Sequence, residues 1–158
     1  MKYTILIACI SLFILSSCND SDENTRIPEP VDYREINEKQ ILEYIEDNNL
    51  NADRLESGLY YVIAEEGSGD RPAVTDNVTV RYKGYFLDQK VFDESKEEGI
   101  SFRLLNTIKG WQEGIPLFKE GGSGTLLIPS HLGYGSRNFQ TIPGGSVLIF
   151  DVTLLAIN

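Results

Sequence analysis

Reactive side chains are scarce in this 158-residue chain, which contains one histidine, two cysteines and one tryptophan. The histidine, His131, has no partner at metal-ligand spacing, and no serine lies in a nucleophile-elbow pattern. The "GGSG" stretch at 121–124 lacks the Lys-Ser/Thr ending of a phosphate loop, so we interpret it as a turn. We therefore expect no metal, cofactor or catalytic triad, and we interpret His131 as a loop residue, with a catalytic base as the alternative.

Positive charge is also in short supply. The chain has 14 Lys and Arg against 24 Asp and Glu, a formal net charge of -10 and a pI near 4.5. Such a surface repels phosphate backbones, which argues against a nucleic-acid partner. The length suits one domain with a real core, and the hydrophobic content of 41% is ordinary for a globular protein.

The apolar run at 5–15 is too short to span a bilayer, which takes about 20 residues. Lys2 precedes it and "LSSC" follows at 15–18, which is the pattern of a signal peptide. The ending Leu, small, small, Cys resembles the lipobox of bacterial lipoproteins. We therefore expect a cleaved signal at 1–17 and lipidation of Cys18. An ordinary signal peptide with an incidental cysteine is the alternative.

Loss of the signal peptide would also remove Cys9, leaving Cys18 without a partner for an internal disulfide. Residues 18–31 then form a lipidated cysteine and an acidic, proline-punctuated tether. Acidic residues after the cysteine weakly resemble signals that send some lipoproteins to the outer face of the outer membrane. We expect a lipid-anchored envelope protein, and the resemblance places it in the outer membrane, with the periplasmic and surface leaflets both open.

A helical extension is predicted at 32–56, with the helix itself at 33–48. Asp32 and Glu35 have the spacing of a capping box. Apolar residues recur at spacings of three to five, opposite an acidic face; they are Tyr33, Ile36, Ile41, Tyr44 and Ile45. We expect the helix to dock on its own domain or on a twin subunit, with a substrate-gripping arm as the alternative.

From residue 57 apolar residues recur at every second position, which predicts strands. Strand-like stretches lie at 59–66, 78–87, 101–105, 124–130 and 146–157. The connections have hairpin length and no helix alternates with the strands, so we expect an α+β fold with a five- to six-stranded antiparallel sheet. The short segment that carries Trp111 is the internal helix, and the sheet should wrap around it.

Aromatic residues from separate predicted elements share inward-facing positions. They are Tyr82, Phe92, Phe102, Trp111, Tyr134 and Phe150. A plain hydrophobic core is one explanation. Two polar placements favour a ligand pocket instead, because Asp93 follows Phe92 directly and Tyr134 lies in the glycine-flanked "LGYGSR".

Five ordered motifs carry a family resemblance: "VTVRYKGYF", "VFDES", "IKGWQEGIPLF", "LLIPSHLGYG" and "IPGGSVLIFDVTLL". In order and spacing the chain resembles FKBP-type peptidyl-prolyl cis-trans isomerases over about 74–157, and the lipobox with the helical extension resembles their bacterial lipoprotein branch. The resemblance implies an isomerase domain at 57–158 with its core at 74–158. It implies catalytic roles for Tyr82, Asp93, Trp111 and Tyr134. It implies substrate binding by Phe92, Phe102, Thr107, Ile108, Ile142 and Phe150.

The implied reaction is rotation about X-Pro bonds in envelope or secreted polypeptides, for which no nucleophile is required. Trp111 would form the floor under the proline ring, the Ile108 N–H and the Tyr134 hydroxyl would hold peptide carbonyls, and Asp93 would orient its neighbours. The proline-containing chains are the expected partners, and macrolide inhibitors are candidate ligands. The alternative is an FKBP-like binding module or chaperone without useful turnover. A purely structural surface lipoprotein would explain the lipobox but not the five motifs.

Two departures from the family pattern fall in the loop after Tyr134. The segment 135–142 is slightly shorter than in the best-known small members, and Gly144 stands where a second proline is common. These differences leave the peptide preference and macrolide affinity open. The sequence also leaves the client proteins and the oligomeric state undefined.

Overall fold

The computed structural model describes residues 31–158; the predicted signal peptide at 1–17, Cys18 and nearly all of the predicted tether lie outside the described residues. One helix precedes all the strands, and a second lies between the fifth and sixth strands. The helices are α1 (Arg34–Asp47) and α2 (Lys109–Gly114), and the strands are β1 (Asp53–Arg54), β2 (Tyr60–Glu65), β3 (Asn77–Tyr85), β4 (Val91–Glu94), β5 (Ile100–Arg103), β6 (Ser123–Ile128) and β7 (Leu148–Ile157).

The strands form one sheet in which each neighbouring pair is antiparallel, as the sequence predicts. The order is β1-β2-β6-β7-β3-β4, and β5 also pairs with β3. Strand β3 therefore has β7 on one side and both β4 and β5 on the other. This arrangement brings β4 and β5 to the same edge, with Gly84 opposite Asp93 and Val78 opposite Phe102.

The seventh strand, β1, is a difference from the prediction. It is two residues long, too short for a period of two to be visible, and it lies inside the extension that we predicted to be helical. Several strand ends also differ from the prediction by one or two residues, among them those of β5 and β7. Strand β5 stops at Arg103 because Leu104–Asn106 forms a 3₁₀ turn. Strand β7 starts at Leu148 and not at Ser146, because the N–H and hydroxyl of Ser146 both donate to the Pro143 carbonyl in a turn.

The main core fills the concave face of the sheet. Alternate residues of β7 point into it and are buried: Leu148, Phe150, Val152 and Leu154. Helix α2 lies against this face, and its Trp111 and the following Ile115 are buried among the strand residues. The predicted wrapping of the sheet around the Trp111 helix is thus confirmed.

Two glycines explain how α2 comes so close to the sheet. A Cβ atom on Gly110 would lie 2.5 Å from Ile128 Cγ2, and one on Gly114 would lie 2.7 Å from Leu126 Cδ1. Both distances are well inside van der Waals contact, so side chains at these positions would push the helix away from β6. The close approach holds Trp111 at a fixed depth in the concave face.

Helix α1 covers the opposite face of the same sheet. Its Ile41 is buried in a second core that also contains Tyr60, Leu127 and Ile149. The helix therefore docks on its own domain, as one of the two predicted alternatives requires. Hydrophobic side chains on both faces of β2, β6 and β7 are covered as a result.

The predicted buried face of α1 is wrong at one position. Ile36 is 48% exposed, whereas its neighbour Asn37 is fully buried. Successive residues of an α-helix are turned by about 100°, so a stripe through Asn37, Ile41 and Tyr44 leaves Ile36 on the flank. At the helix start, the Asp32 carboxylate accepts from the Arg34 N–H at 3.0 Å.

An ion-pair cluster fixes α1 to the edge of the sheet. Glu38 accepts hydrogen bonds from the Tyr60 hydroxyl at 2.6 Å and from Arg54 Nε at 3.1 Å. Burial tends to raise the pKa of Glu38, but the hydrogen bonds from Tyr60 and Arg54 outweigh it and hold that pKa below its ordinary value. The carboxylate is therefore the form that joins α1 to β1 and β2.

Candidate active site

A cavity of about 570 Å³ opens at the end of the concave core, between α2, the β3–β5 edge and the loop that precedes β7. This volume is within the usual range for small-ligand sites, about 300 to 1,000 Å³. The structure brings together all ten residues that the resemblance assigns to the site: Tyr82, Phe92, Asp93, Phe102, Thr107, Ile108, Trp111, Tyr134, Ile142 and Phe150. Five further lining residues were not predicted: Ile100, Asn106, Phe139, Gln140 and Thr141.

Trp111 forms the floor of the cavity and is 5% exposed. Its ring centroid lies 5.1 Å from that of Tyr82, 5.3 Å from Phe102 and 5.2 Å from Phe150. The Tyr82 and Phe150 rings meet the indole nearly at right angles, at 86° and 84°, which is a favoured geometry for aromatic pairs. The indole is therefore held on several sides. Its Nε1–H has no acceptor within residues 31–158.

The wall beside the floor depends on a glycine in β3. Phe92 and Phe150 meet edge to face, with centroids 5.5 Å apart. A Cβ atom on Gly84 would lie 2.7 Å from Phe150 Cε1 and 2.8 Å from Phe92 Cε2. The absence of a side chain at Gly84 is what allows these two rings to pack over the strand.

A short hydrogen bond connects two polar groups at the rim. The Tyr82 hydroxyl donates to Asp93 Oδ2 at 2.7 Å. Burial raises the pKa of Tyr82 well above its ordinary value. The hydrogen bond to Asp93 and the negative charge of Asp93 raise it further. The phenol of Tyr82 thus stays protonated, and the bond fixes the orientation of the exposed Asp93 carboxylate.

Tyr134 supplies a second hydroxyl at the mouth. Its ring is stacked on that of Phe139, with centroids 4.4 Å apart and an interplanar angle of 8°. Burial and the charge of Asp93 raise the pKa of the Tyr134 phenol. Its hydroxyl makes no hydrogen bond to another residue in the range 31–158, so it is a protonated donor that a ligand carbonyl can use.

The turn before α2 offers a backbone donor. The Thr107 hydroxyl donates to the Leu104 carbonyl at 2.7 Å, and Gln112 Nε2 donates to the Thr107 carbonyl at 2.7 Å. These bonds hold the turn in place. Between them the N–H of Ile108 donates to no group in the described part of the chain, and Ile108 lines the cavity.

Residues 135–145, which we call the flap, cover one side of the mouth. Phe139 and Ile142 exchange two backbone hydrogen bonds of 2.9 and 2.8 Å, which make a tight turn through Gln140 at φ 50°. The N–H of Gly144 donates to Asn138 Oδ1 at 2.9 Å, and a Cβ atom at 144 would lie 2.2 Å from the Ser136 carbonyl oxygen. A proline has no N–H and carries a Cβ, so this flap conformation requires the glycine.

His131 lies outside the cavity lining. Its Nε2 is 2.9 Å from the Ser57 carbonyl oxygen, so the ring is directed at the turn before β2. Within residues 31–158, no group of three or more His, Cys, Asp or Glu side chains is arranged to hold a metal ion.

The sequence profile of FKBP-type peptidyl-prolyl cis-trans isomerases matches residues 69–155. FkpA, an FKBP-type isomerase of Escherichia coli, is 45% identical over 103 residues, which are 64% of this chain and 38% of that protein. A probable FkpA of Neisseria meningitidis is 44% identical over 104 residues, with the same two coverages. The chain belongs to the FKBP-type peptidyl-prolyl cis-trans isomerase family, and it spans well under half the length of these relatives.

Solved structures support the same assignment. The crystal structure of Escherichia coli FkpA superimposes with a TM-score of 0.71 at 40% identity, covering 79% of this chain and 61% of that one. A peptidyl-prolyl cis-trans isomerase of Pseudomonas syringae pv. tomato gives a TM-score of 0.68 at 28% identity, covering 78% of this chain and 95% of the other.

Proposed function

We propose that the protein is a peptidyl-prolyl cis-trans isomerase whose catalytic centre is the cavity over Trp111. One observation carries the proposal: an apolar aromatic floor is combined at its rim with hydrogen-bond donors that have no partner in residues 31–158. A cavity that served only as core packing would not place free donors at its mouth.

The chemistry of the reaction fits an apolar aromatic floor with hydrogen-bond donors at its rim. Rotation about an X-Pro bond meets a barrier of about 18 to 20 kcal/mol because it interrupts amide resonance, and it makes or breaks no covalent bond. The twisted amide is less dipolar than the planar one. Transfer from water to an aromatic cavity therefore disfavours the planar ground state more than the transition state. Trp111, Phe102 and Phe150 supply that environment.

The rim groups then act as positioning donors. The Tyr134 hydroxyl and the Ile108 N–H hold the carbonyl groups on either side of the rotating bond, while the apolar floor holds the pyrrolidine ring. Asp93 keeps the Tyr82 hydroxyl directed across the rim. None of these groups has to gain or lose a proton during turnover.

Exchange spectroscopy on an X-Pro peptide separates an isomerase from a binding module. Uncatalysed cis-trans exchange takes about 10 to 100 s. The intact protein at catalytic concentration should make this exchange much faster. Shifted or broadened peptide resonances without faster exchange would instead indicate an FKBP-like module that binds proline segments without turnover.

We further propose that the protein is lipidated on Cys18 and anchored in the bacterial cell envelope. The support is the "LSSC" ending behind a signal-like apolar run, and both lie outside the described residues. Polypeptides that fold in the envelope or are secreted through it are then the substrates. Macrolides are the corresponding inhibitor class, which the unpredicted flap residues Phe139 to Thr141 would contact at the cavity mouth.

A further inference from the structure

The side chain of Asn37 joins α1 to the loop that carries Tyr134. Asn37 is fully buried, although it is a polar residue on the docking face of a helix. Its Oδ1 accepts from the Ser130 N–H at 2.9 Å, and its Nδ2 donates to the Gly145 carbonyl at 2.9 Å. Both hydrogen bonds are buried and reach across about a hundred residues of sequence. A leucine would pack at such a position, so the amide calls for an explanation in terms of its two partners.

These two bonds belong to a closed ring of four. The Gly135 N–H donates to the Ser130 carbonyl at 2.7 Å, and the Gly145 N–H donates to the Gly135 carbonyl at 2.9 Å. From Asn37 the ring runs to Ser130, to Gly135, to Gly145 and back to Asn37. Tyr134 lies directly before Gly135, inside the segment that the ring encloses.

Neighbouring groups of α1 hold the ring in place. Gln40 Oε1 accepts from Asn37 Nδ2 at 3.0 Å, so the amide group of Asn37 has a second acceptor besides the Gly145 carbonyl. The ring of Tyr33 packs on the backbone of Gly145, where a Cβ atom would lie 2.4 Å from Tyr33 Cε1 and φ is 80°. The base of the flap is thus shaped against α1 and not only against the sheet.

We propose that Asn37 is a positioning residue of the isomerase site. It acts through the four-bond ring on Tyr134 and on Phe139, which is stacked on Tyr134. This inference rests on the proposed function, and it makes α1 a working part of the catalytic unit. A spacer between membrane and domain would need no buried amide directed at the flap.

Two substitutions at Asn37 test the proposal in the full-length protein. Asn37→Ala removes both bonds. The isosteric Asn37→Asp keeps an acceptor for Ser130 but loses the amide donor to Gly145. Because a buried charge is costly, Asn37→Ala is the variant that decides the test if Asn37→Asp does not fold. Each should lower kcat by about two- to tenfold, no more than loss of the Tyr134 hydroxyl itself, with little change in KM. This is less than the roughly 100-fold that a displacement of 1 Å can cause.

The matched control is Ile41→Val on the same helix. Ile41 is buried one turn from Asn37 but packs in the second core, away from the flap. The Ile41→Val variant should be less stable because a buried methyl group is deleted, while kcat and KM stay at the wild-type values. An equal loss of kcat in Ile41→Val would show that docking of α1 in general, and not the Asn37 amide, is responsible.

A double-mutant cycle identifies the group through which Asn37 acts. In the Tyr134→Phe background, Asn37→Asp should change kcat by less than about twofold, because residues that act through one group are not additive. Full additivity, or an unchanged kcat in folded Asn37→Asp with Tyr134 intact, would overturn the proposal.

Hydrogen exchange without substrate keeps this test separate from that of the proposed function. The amide protons of Gly135 and Gly145 should lose protection in Asn37→Ala and retain it in Ile41→Val. If wild-type protein fails to accelerate X-Pro exchange, the proposed function is wrong. Unchanged protection of both glycines in Asn37→Ala would instead show that Asn37 does not hold the flap and would contradict the proposed role of Asn37.

Discussion

The ring of Tyr134 lies flat against that of Phe139, with centroids 4.4 Å apart, while its hydroxyl points to no acceptor in residues 31–158. The ring and the hydroxyl therefore have separate tasks. The ring is held by an aromatic partner from the flap, and the hydroxyl is left available at the cavity mouth. Variants can address each task alone.

Tyr134→Phe should keep the stack and remove the donor. We expect an unchanged melting temperature and a kcat/KM lower by about two- to tenfold, the value of one hydrogen bond. Trp111→Ala should behave differently, because truncation of a buried aromatic costs about 3 to 5 kcal/mol of stability in addition to activity. Thermal unfolding with steady-state kinetics checks both. Equal destabilisation by the two variants would indicate that the aromatic cluster is only core.

Gly84→Ala should damage the cavity wall. The added methyl group would lie 2.7 to 2.8 Å from atoms of Phe150 and Phe92, so both rings must move. We expect kcat/KM to fall and stability to drop by about 1 to 3 kcal/mol, as for other overpacked sites. The matched control is Gly69→Ala, whose methyl group would meet the side chain of Glu120 away from the cavity. Wild-type kinetics in Gly84→Ala would contradict the assigned wall.

The attachment of α1 should weaken in acid. Hydrogen bonds from Tyr60 and Arg54 hold the pKa of Glu38 below its ordinary value of 4.5 despite burial. A lowered folded-state pKa stabilises the fold above the unfolded-state value, and this contribution is lost as pH falls through the folded-state pKa. Urea unfolding should show a small stability deficit of Glu38→Gln at about pH 7 that shrinks towards about pH 3.5. A deficit independent of pH would exclude the carboxylate as its source.

Cys18→Ser should release the protein from membranes. Each buried methylene contributes about 0.8 kcal/mol, so a cysteine with several acyl chains is anchored effectively permanently, whereas one chain is not enough. Fractionation of cells that express either form is the measurement. If the variant still pellets with membranes after a salt wash, the lipoprotein assignment is wrong.

The sequence predicts best the elements in which apolar residues recur at a regular spacing. In β7 and β3, apolar residues recur at every second position, so the sequence alone predicts that Phe150 and Tyr82 lie on the concave face. The family motifs added Thr107, Ile108 and Ile142, which lie in turns and have no period of their own.

The missed features depend on hydrogen bonds that a hydrophobic pattern does not reveal. Hydrophobicity placed Ile36 on the docking face of α1, but Asn37 is buried there because its amide satisfies Ser130 and Gly145. No local pattern signals such partners. The flap residue Gln140 adopts a positive φ within a turn closed by its neighbours, and this too is set by the loop and not by residue type.

The pH dependence of kcat/KM is the most direct test of catalysis by an apolar cavity without proton transfer. Histidine is the side-chain type that ordinarily changes charge between about pH 6 and pH 8, and His131 lies outside the cavity lining. The pKa values of Tyr82 and Tyr134 are raised, so both phenols stay protonated throughout this range. On an X-Pro peptide without ionisable groups, we predict a nearly flat kcat/KM from about pH 6 to pH 8.5, with most activity retained in His131→Ala. A steep titration between about pH 6 and pH 7 that disappears in His131→Ala would contradict the mechanism.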